Sequence, residues 1–144
     1  MARYVNLIKL SVGSESVESL IDWQARRSRQ RTSDGVYYHL TRMRPKREDE
    51  VLAGGSIYWV INRLVQCRQR IVGLDEIHCD DGITRCAILL DPDVVRTEVL
   101  PRRPFQGWRY LSVDDAPDDL AEGREAEADL PVDLRRALAE IGVA

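Results

Sequence analysis

Residues 56–90, SIYWVINRLVQCRQRIVGLDEIHCDDGITRCAILL, read as three successive strands joined by two tight turns. Ser56 to Ile61 is rich in β-branched and aromatic residues, the composition that suits a pleated, half-buried surface. Asn62-Arg63 can reverse the chain into a longer strand over 64–77, and Asp80-Asp81-Gly82 is a strong tight-turn signal before a third strand over 84–90. A meander of this kind fixes antiparallel neighbours. On the middle strand Arg68 and Arg70 share one face while Cys67, Gln69 and Ile71 share the other.

Upstream, residues 4–12 (YVNLIKLSV) predict a first strand, with Val5, Leu7 and Lys9 on one face and Asn6, Ile8 and Leu10 on the other. Ser14 or Ser16 caps a following helix, whose inner stripe is expected to be Val17, Leu20, Ile21 and Gln24, with Trp23 at the margin. Residues 36–43 predict another strand. Pro45 opens a short helix over 46–53, and Gly54-Gly55 stops it. Downstream, Asp91-Pro92-Asp93 is expected to break the third strand of the meander, and residues 105–111 predict the last strand. The pattern lacks alternating βαβ units. It predicts an α+β domain over 1–113, built on a small, mostly antiparallel β-barrel or strongly bent sheet with peripheral helices. Residues 114–129 read as an acidic linker with little to bury, and 115–128 are expected to be dispensable for folding of the preceding domain. Residues 130–144 read as a C-terminal amphipathic helix marked by Leu130, Leu134, Ala137, Leu138 and Ile141.

The chain has 144 residues and a net charge of −3, but the charge is unevenly placed. Residues 1–110 hold 18 Lys+Arg against 14 Asp+Glu, whereas 111–144 hold 3 against 10. A basic body followed by an acidic tail suits nucleic-acid traffic or self-masking, and the negative total requires any such binding to come from a local patch. No apolar run approaches the roughly 20 residues of a membrane helix, so no membrane partner is expected. The three cysteines cannot all pair, and with no secretory pattern the expectation is a cytoplasmic protein with reduced thiols.

The densest chemistry lies in PRRPFQGWRYL, residues 101–111, where Arg102, Arg103 and Arg109 alternate with Phe105, Trp108 and Tyr110. Planar guanidinium forks grip phosphate or carboxylate, and aromatic faces stack bases. The plainer reading has the aromatics filling the core and the arginines solvated. A second basic run, HLTRMRPKR (39–47), offers Arg42 and Arg44, with Glu48-Asp49-Glu50 following as internal partners for salt bridges. A third, CRQR (67–70), offers Arg68. Trp59 completes the candidate nucleic-acid-binding set. Catalytic signals are weak: the chain lacks GxSxG, HExxH, Walker and GxGxxG patterns, and no catalytic residue is assigned. Cys67, His78, Cys79 and Cys86 lack zinc-ligand spacing, so neither a metal nor a cofactor is expected.

Several of these segments together carry a resemblance. VNLIKLSVGSESVESLIDWQ (5–24), HLTRMRPKR (39–47), GGSIYWVI (54–61), RQRI (68–71) and RRPFQGWRYL (102–111) resemble the bacterial family filed as domain of unknown function fourteen-eighty-nine. That resemblance implies no activity and transfers no catalytic residue. More distantly, a first strand ending near a lysine, a helix carrying Trp23, a glycine-led strand and the run IVGLDEI are similar to PUA-like domains, including their base-reading EVE branch. This similarity implies a PUA-like fold.

The expected function is a non-enzymatic nucleic-acid-binding module directed at RNA or a modified base, through Arg42, Arg44, Trp59, Arg68, Arg102, Arg103, Trp108, Arg109 and Tyr110. Two alternatives come from other classes. One is a small enzyme for a phosphorylated or carboxylated metabolite, with His39 or Cys67 as the reactive group. The other is an interaction domain whose C-terminal helix docks a protein partner.

Overall fold

A computed structural model describes residues 4–11, 14–26, 31–32 and 35–120. The C-terminal helix expected over 130–144, and the later part of the expected linker, lie outside the described residues. Among the described residues the architecture is α+β: six strands in one mixed sheet with two α-helices. The strands are β1 (Asn6–Leu10), β2 (Tyr38–Thr41), β3 (Ser56–Ile61), β4 (Leu64–His78), β5 (Thr84–Pro101) and β6 (Trp108–Leu111). The helices are α1 (Val17–Arg26) and α2 (Glu48–Leu52). Strand order is β2-β5-β4-β3-β1-β6, with β1 parallel to β3 and every other pairing antiparallel.

The meander forms as its turn chemistry dictates. Asn62 and Arg63 adopt φ of 53° and 66°, the double left-handed conformation of a two-residue hairpin turn. All six residues of β3 are buried, as befits a strand covered on both faces. The expected break at residues 91–93 does not end β5. Gln69 faces Val94 and Ile71 faces Leu90, so 91–93 are pushed out of the ladder as a bulge. Asp91 Oδ1 accepts the Asp93 N–H at 2.8 Å, and Pro92, lacking an N–H, sits where no ladder bond is required.

Ser16 caps α1 reciprocally. Its Oγ accepts the Ser19 N–H at 3.1 Å, while Ser19 Oγ accepts the Ser16 N–H at 3.0 Å. Val17, Leu20 and Gln24 face the sheet, but Ile21, expected inside, is 42% exposed. Gly55 is required for close approach: a Cβ there would lie 2.2 Å from the Val5 carbonyl oxygen and 2.7 Å from that of Val51.

The barrel alternative is corrected: the ladder is open, with β2 and β6 as its edges. The sheet is nevertheless strongly curled. In a flat sheet β2 and β3 would stand about 14 Å apart. Yet the His39 and Trp59 rings meet edge-on at a centroid distance of 5.4 Å. The two edges are joined by side chains instead of a ladder. Trp108 Nε1 on β6 donates to the Met43 carbonyl just past β2 at 2.8 Å, and the Tyr110 hydroxyl accepts the Arg47 N–H at 3.0 Å. The helices cover the concave face, where Leu7, Ile57, Trp59, Cys67, Ile71, Ile88 and Leu90 form the main core. A smaller core of Ile8, Tyr58, Val60, Val65 and Leu111 lies on the opposite face, together with Phe105 and Ala116.

The start of the expected acidic linker is packed. Residues Val113–Asp115 form a 3-10 turn, and the chain then runs beside the second half of β5. Glu98 N–H donates to Asp118 O at 2.8 Å and Leu120 N–H to Arg96 O at 3.0 Å. Since β2 pairs only with the first half of β5, this edge was available to receive it.

Candidate functional site

The strand register builds a cleft on the face opposite the helices. Tyr58 stands beside Arg68 and Ser56 beside Arg70 across the β3–β4 ladder, with Ile8 and Asn6 continuing the two rows on β1. Asn6 is buried, and its Oδ1 accepts the Ser56 N–H at 2.9 Å, locking the floor. Tyr4, Asn6, Ser56, Tyr58, Arg68 and Arg70 line a 340 Å³ cleft whose remaining wall is the 113–119 strap. That volume reaches the lower end of ordinary ligand sites.

Arg68 is held as a fork. Nε and Nη2 donate to the two carboxylate oxygens of Asp119 at 2.8 and 2.7 Å, while Nη1 donates to Ser56 Oγ at 3.0 Å. The bond to Asp119, more than its charge, raises the Arg68 pKa further above its ordinary value. Burial raises the Tyr58 phenol, so it stays protonated. Arg70 is exposed and has no ion pair among the described residues. Arg68 thus lies in a cleft and binds a carboxylate there. Tyr58 and Asp119 were not among the sequence-derived candidates, whereas Arg70 belongs to the CRQR run and shares the face of Arg68. Tyr58 and Arg68 become neighbours only once the hairpin register is known.

The Arg/aromatic run is divided between the two faces. Trp108 and Tyr110 point to the concave side, meet each other at 4.9 Å and fasten residues 43–47. Phe105 lies on the other side, with the guanidinium groups of Arg102 and Arg109 over its ring at 5.6 and 5.2 Å. Arg103 is exposed. Arg42 is exposed as well, and Arg44 pairs with Glu48 at 2.8 Å. The structure therefore does not gather the arginines of 102–109 around Trp108 or Tyr110.

Trp59 is 3% exposed, and its indole N–H donates to Gln69 Oε1 at 2.9 Å. Gln69 and Gln24 exchange amide bonds at 2.6 and 2.8 Å, and Gln69 also reaches the Asp91 carbonyl. This buried network ties α1 to β3, β4 and the bulge. Neither expected reactive group is activated. Burial pushes the Cys67 thiol up to about 12, leaving it un-ionised and a poor nucleophile. Burial, with the charge of Lys9 as the second cause, lowers His39 to about 4, so the ring is neutral near pH 7. Among the described residues, no three of His, Cys, Asp and Glu cluster as a metal site.

The family model described as "Protein of unknown function (DUF1489)" matches residues 7–144. The chain belongs to that family. No curated protein and no solved structure matches it. In this DUF1489 chain the segments that carry the resemblance have distinct places. Residues 54–61 supply the close-approach glycine and β3, residues 68–71 supply the arginine row, and residues 102–111 fasten one sheet edge to the loop beyond the other.

Proposed function

We propose that the protein is a non-enzymatic nucleic-acid-binding module that grips the phosphate backbone of single-stranded RNA, or of a strand bearing a modified base, in the Arg68–Arg70 cleft. The observation that carries this reading is the two-pronged bond from Arg68 to Asp119. A guanidinium preorganised to take two oxygens of one carboxylate is equally shaped for two oxygens of a phosphate. Arg70 adds a second cation, and the partly exposed Tyr4 offers a stacking face at the rim. The un-ionised Cys67 and neutral His39 favour binding over catalysis. A PUA-like relationship and a bacterial cytoplasmic setting belong to the same proposal. The curl that brings His39 onto Trp59 supports the first, and the buried free thiols of Cys67 and Cys86 support the second.

Fluorescence anisotropy at low salt tests the proposal, using labelled single-stranded RNA, DNA and a pool containing modified nucleotides. Arg68→Ala and Arg70→Ala should each weaken binding across sequences and reduce the salt slope by about one. If neither the native protein nor Asp119→Ala binds any of these oligomers, the proposal fails.

A further inference from the structure

The concave face holds a second arrangement that the arginine cleft does not use. The registers place Trp108, Lys9, Trp59 and Cys67 in one row across β6, β1, β3 and β4. Lys9 therefore stands between two indoles, and no carboxylate pairs with it among the described residues. His39 closes over the row from β2 with its ring against Trp59. Its Nε2 is shut off from solvent and has no hydrogen-bond partner. Both indole N–H groups are already committed, that of Trp59 to Gln69 and that of Trp108 to Met43. Trp59, 3% exposed, is thus the buried floor of the row and the partly exposed Trp108 its apolar wall, while the unused polar atoms are Lys9 Nζ and His39 Nε2. Lys9 and Trp108 remain partly exposed, so the cluster is not sealed.

We propose that Lys9, His39, Trp59 and Trp108 form a second ligand site that takes the oxyanion of a small planar carboxylate or phosphate ester. An unpaired ammonium and an unpaired imidazole on the same walls lack one thing, an acceptor carrying negative charge. An oxyanion accepts from Lys9 Nζ and from the Nε2–H tautomer of His39, and a flat ring behind it packs on the exposed part of Trp108. No competing cation intrudes, because Arg96, next in the row beyond Cys67, is engaged by Glu18 at 2.6 Å. The lowered pKa of Lys9, caused by burial, agrees with an ammonium that has no counter-ion.

The site lies on the face opposite the cleft, so it does not depend on nucleic-acid binding. The experiment follows the side-chain indole N–H resonances of the 15N-labelled full chain while inorganic phosphate or benzoate is added. Saturable shifts of the Trp59 and Trp108 signals are expected at millimolar concentration with at least one probe. The tighter of the two identifies the anion chemistry. Lys9→Met should weaken the response at least tenfold while keeping the dispersion of a folded protein, and His39→Phe should act in the same direction. Arg68→Ala should leave it unchanged, which separates this site from the cleft. An absence of saturable shifts with both probes overturns the proposal, as does an undiminished response in Lys9→Met.

Discussion

His39 folds as a neutral ring, and this makes stability depend on pH in a definite direction. Its pKa is lowered by burial first and by Lys9 second, to about 4 in the folded chain against 6.5 for a free side chain. The unfolded chain therefore takes up its proton earlier as pH falls. Stability from this residue is fully present above pH 6.5 and declines between 6.5 and 4, by roughly 3 kcal/mol in all. Urea midpoints at steps from pH 7.5 to 4 should fall more steeply for the native chain than for His39→Phe. Parallel profiles for the two proteins would contradict the assignment. Gly55 makes an equally local demand. The atoms that would crowd an added Cβ are the backbone carbonyls of Val5, just before β1, and of Val51 in α2, which cannot swing aside as a side chain would. Gly55→Ala should cost stability at the upper end of the roughly 1–3 kcal/mol typical of overpacking, measured by thermal melting. An unchanged melting temperature would mean that the approach relaxes freely.

Among the elements, those whose information is local were legible in the sequence. β3, the Asn62-Arg63 turn and the start of β5 follow from composition and turn residues, and the alternation of Arg68 and Arg70 against Cys67 and Gln69 follows from the strand period. The continuation of β5 past Pro92 was not legible. Asp-Pro-Asp signals a break, and only the neighbouring β4 turns that break into a bulge. The helical period places Gln24 inside, where Gln69, 45 residues away, receives it, but it places Ile21 there too, and Ile21 is exposed. The strand over residues 105–111 follows from the sequence as well, but not the partner of each of its faces. Trp108 and Tyr110 hold the loop after β2, and Tyr110 supplies an acceptor to the Arg47 N–H at the start of α2. Trp108→Phe should therefore cost about 1 kcal/mol and speed amide exchange across residues 43–47. Exchange in the β3–β4 hairpin should be unaffected. If exchange in 43–47 is unaltered, the loop is held by something other than β6.

At the scale of the whole molecule, the uneven charge along the chain becomes a contact in space. The acidic segment after residue 113 folds back onto the strand face that carries Arg68, so one carboxylate already occupies the proposed phosphate position. Two consequences separate. The ion pair is partly exposed on both sides, and pairs of that kind contribute about 0–1 kcal/mol, so Asp119→Ala should barely move the melting temperature. The strap backbone is different, since it bonds the β5 edge at Glu98 and Arg96 and helps cover Thr97, which is 1% exposed. Ending the chain at Ser112 should therefore lower the melting temperature measurably, against the expectation from composition that this stretch is dispensable. For binding, Asp119→Ala releases the Arg68 fork without uncovering β5. Affinity for single-stranded RNA should rise, and the salt dependence should steepen by about one phosphate contact. The double variant Arg68→Ala/Asp119→Ala should lose that gain, which ties it to the fork instead of to the reduced negative charge. A gain that survives in the double variant would leave only general repulsion between the acidic segment and the strand, and the strap would then have no part in occupying the cleft.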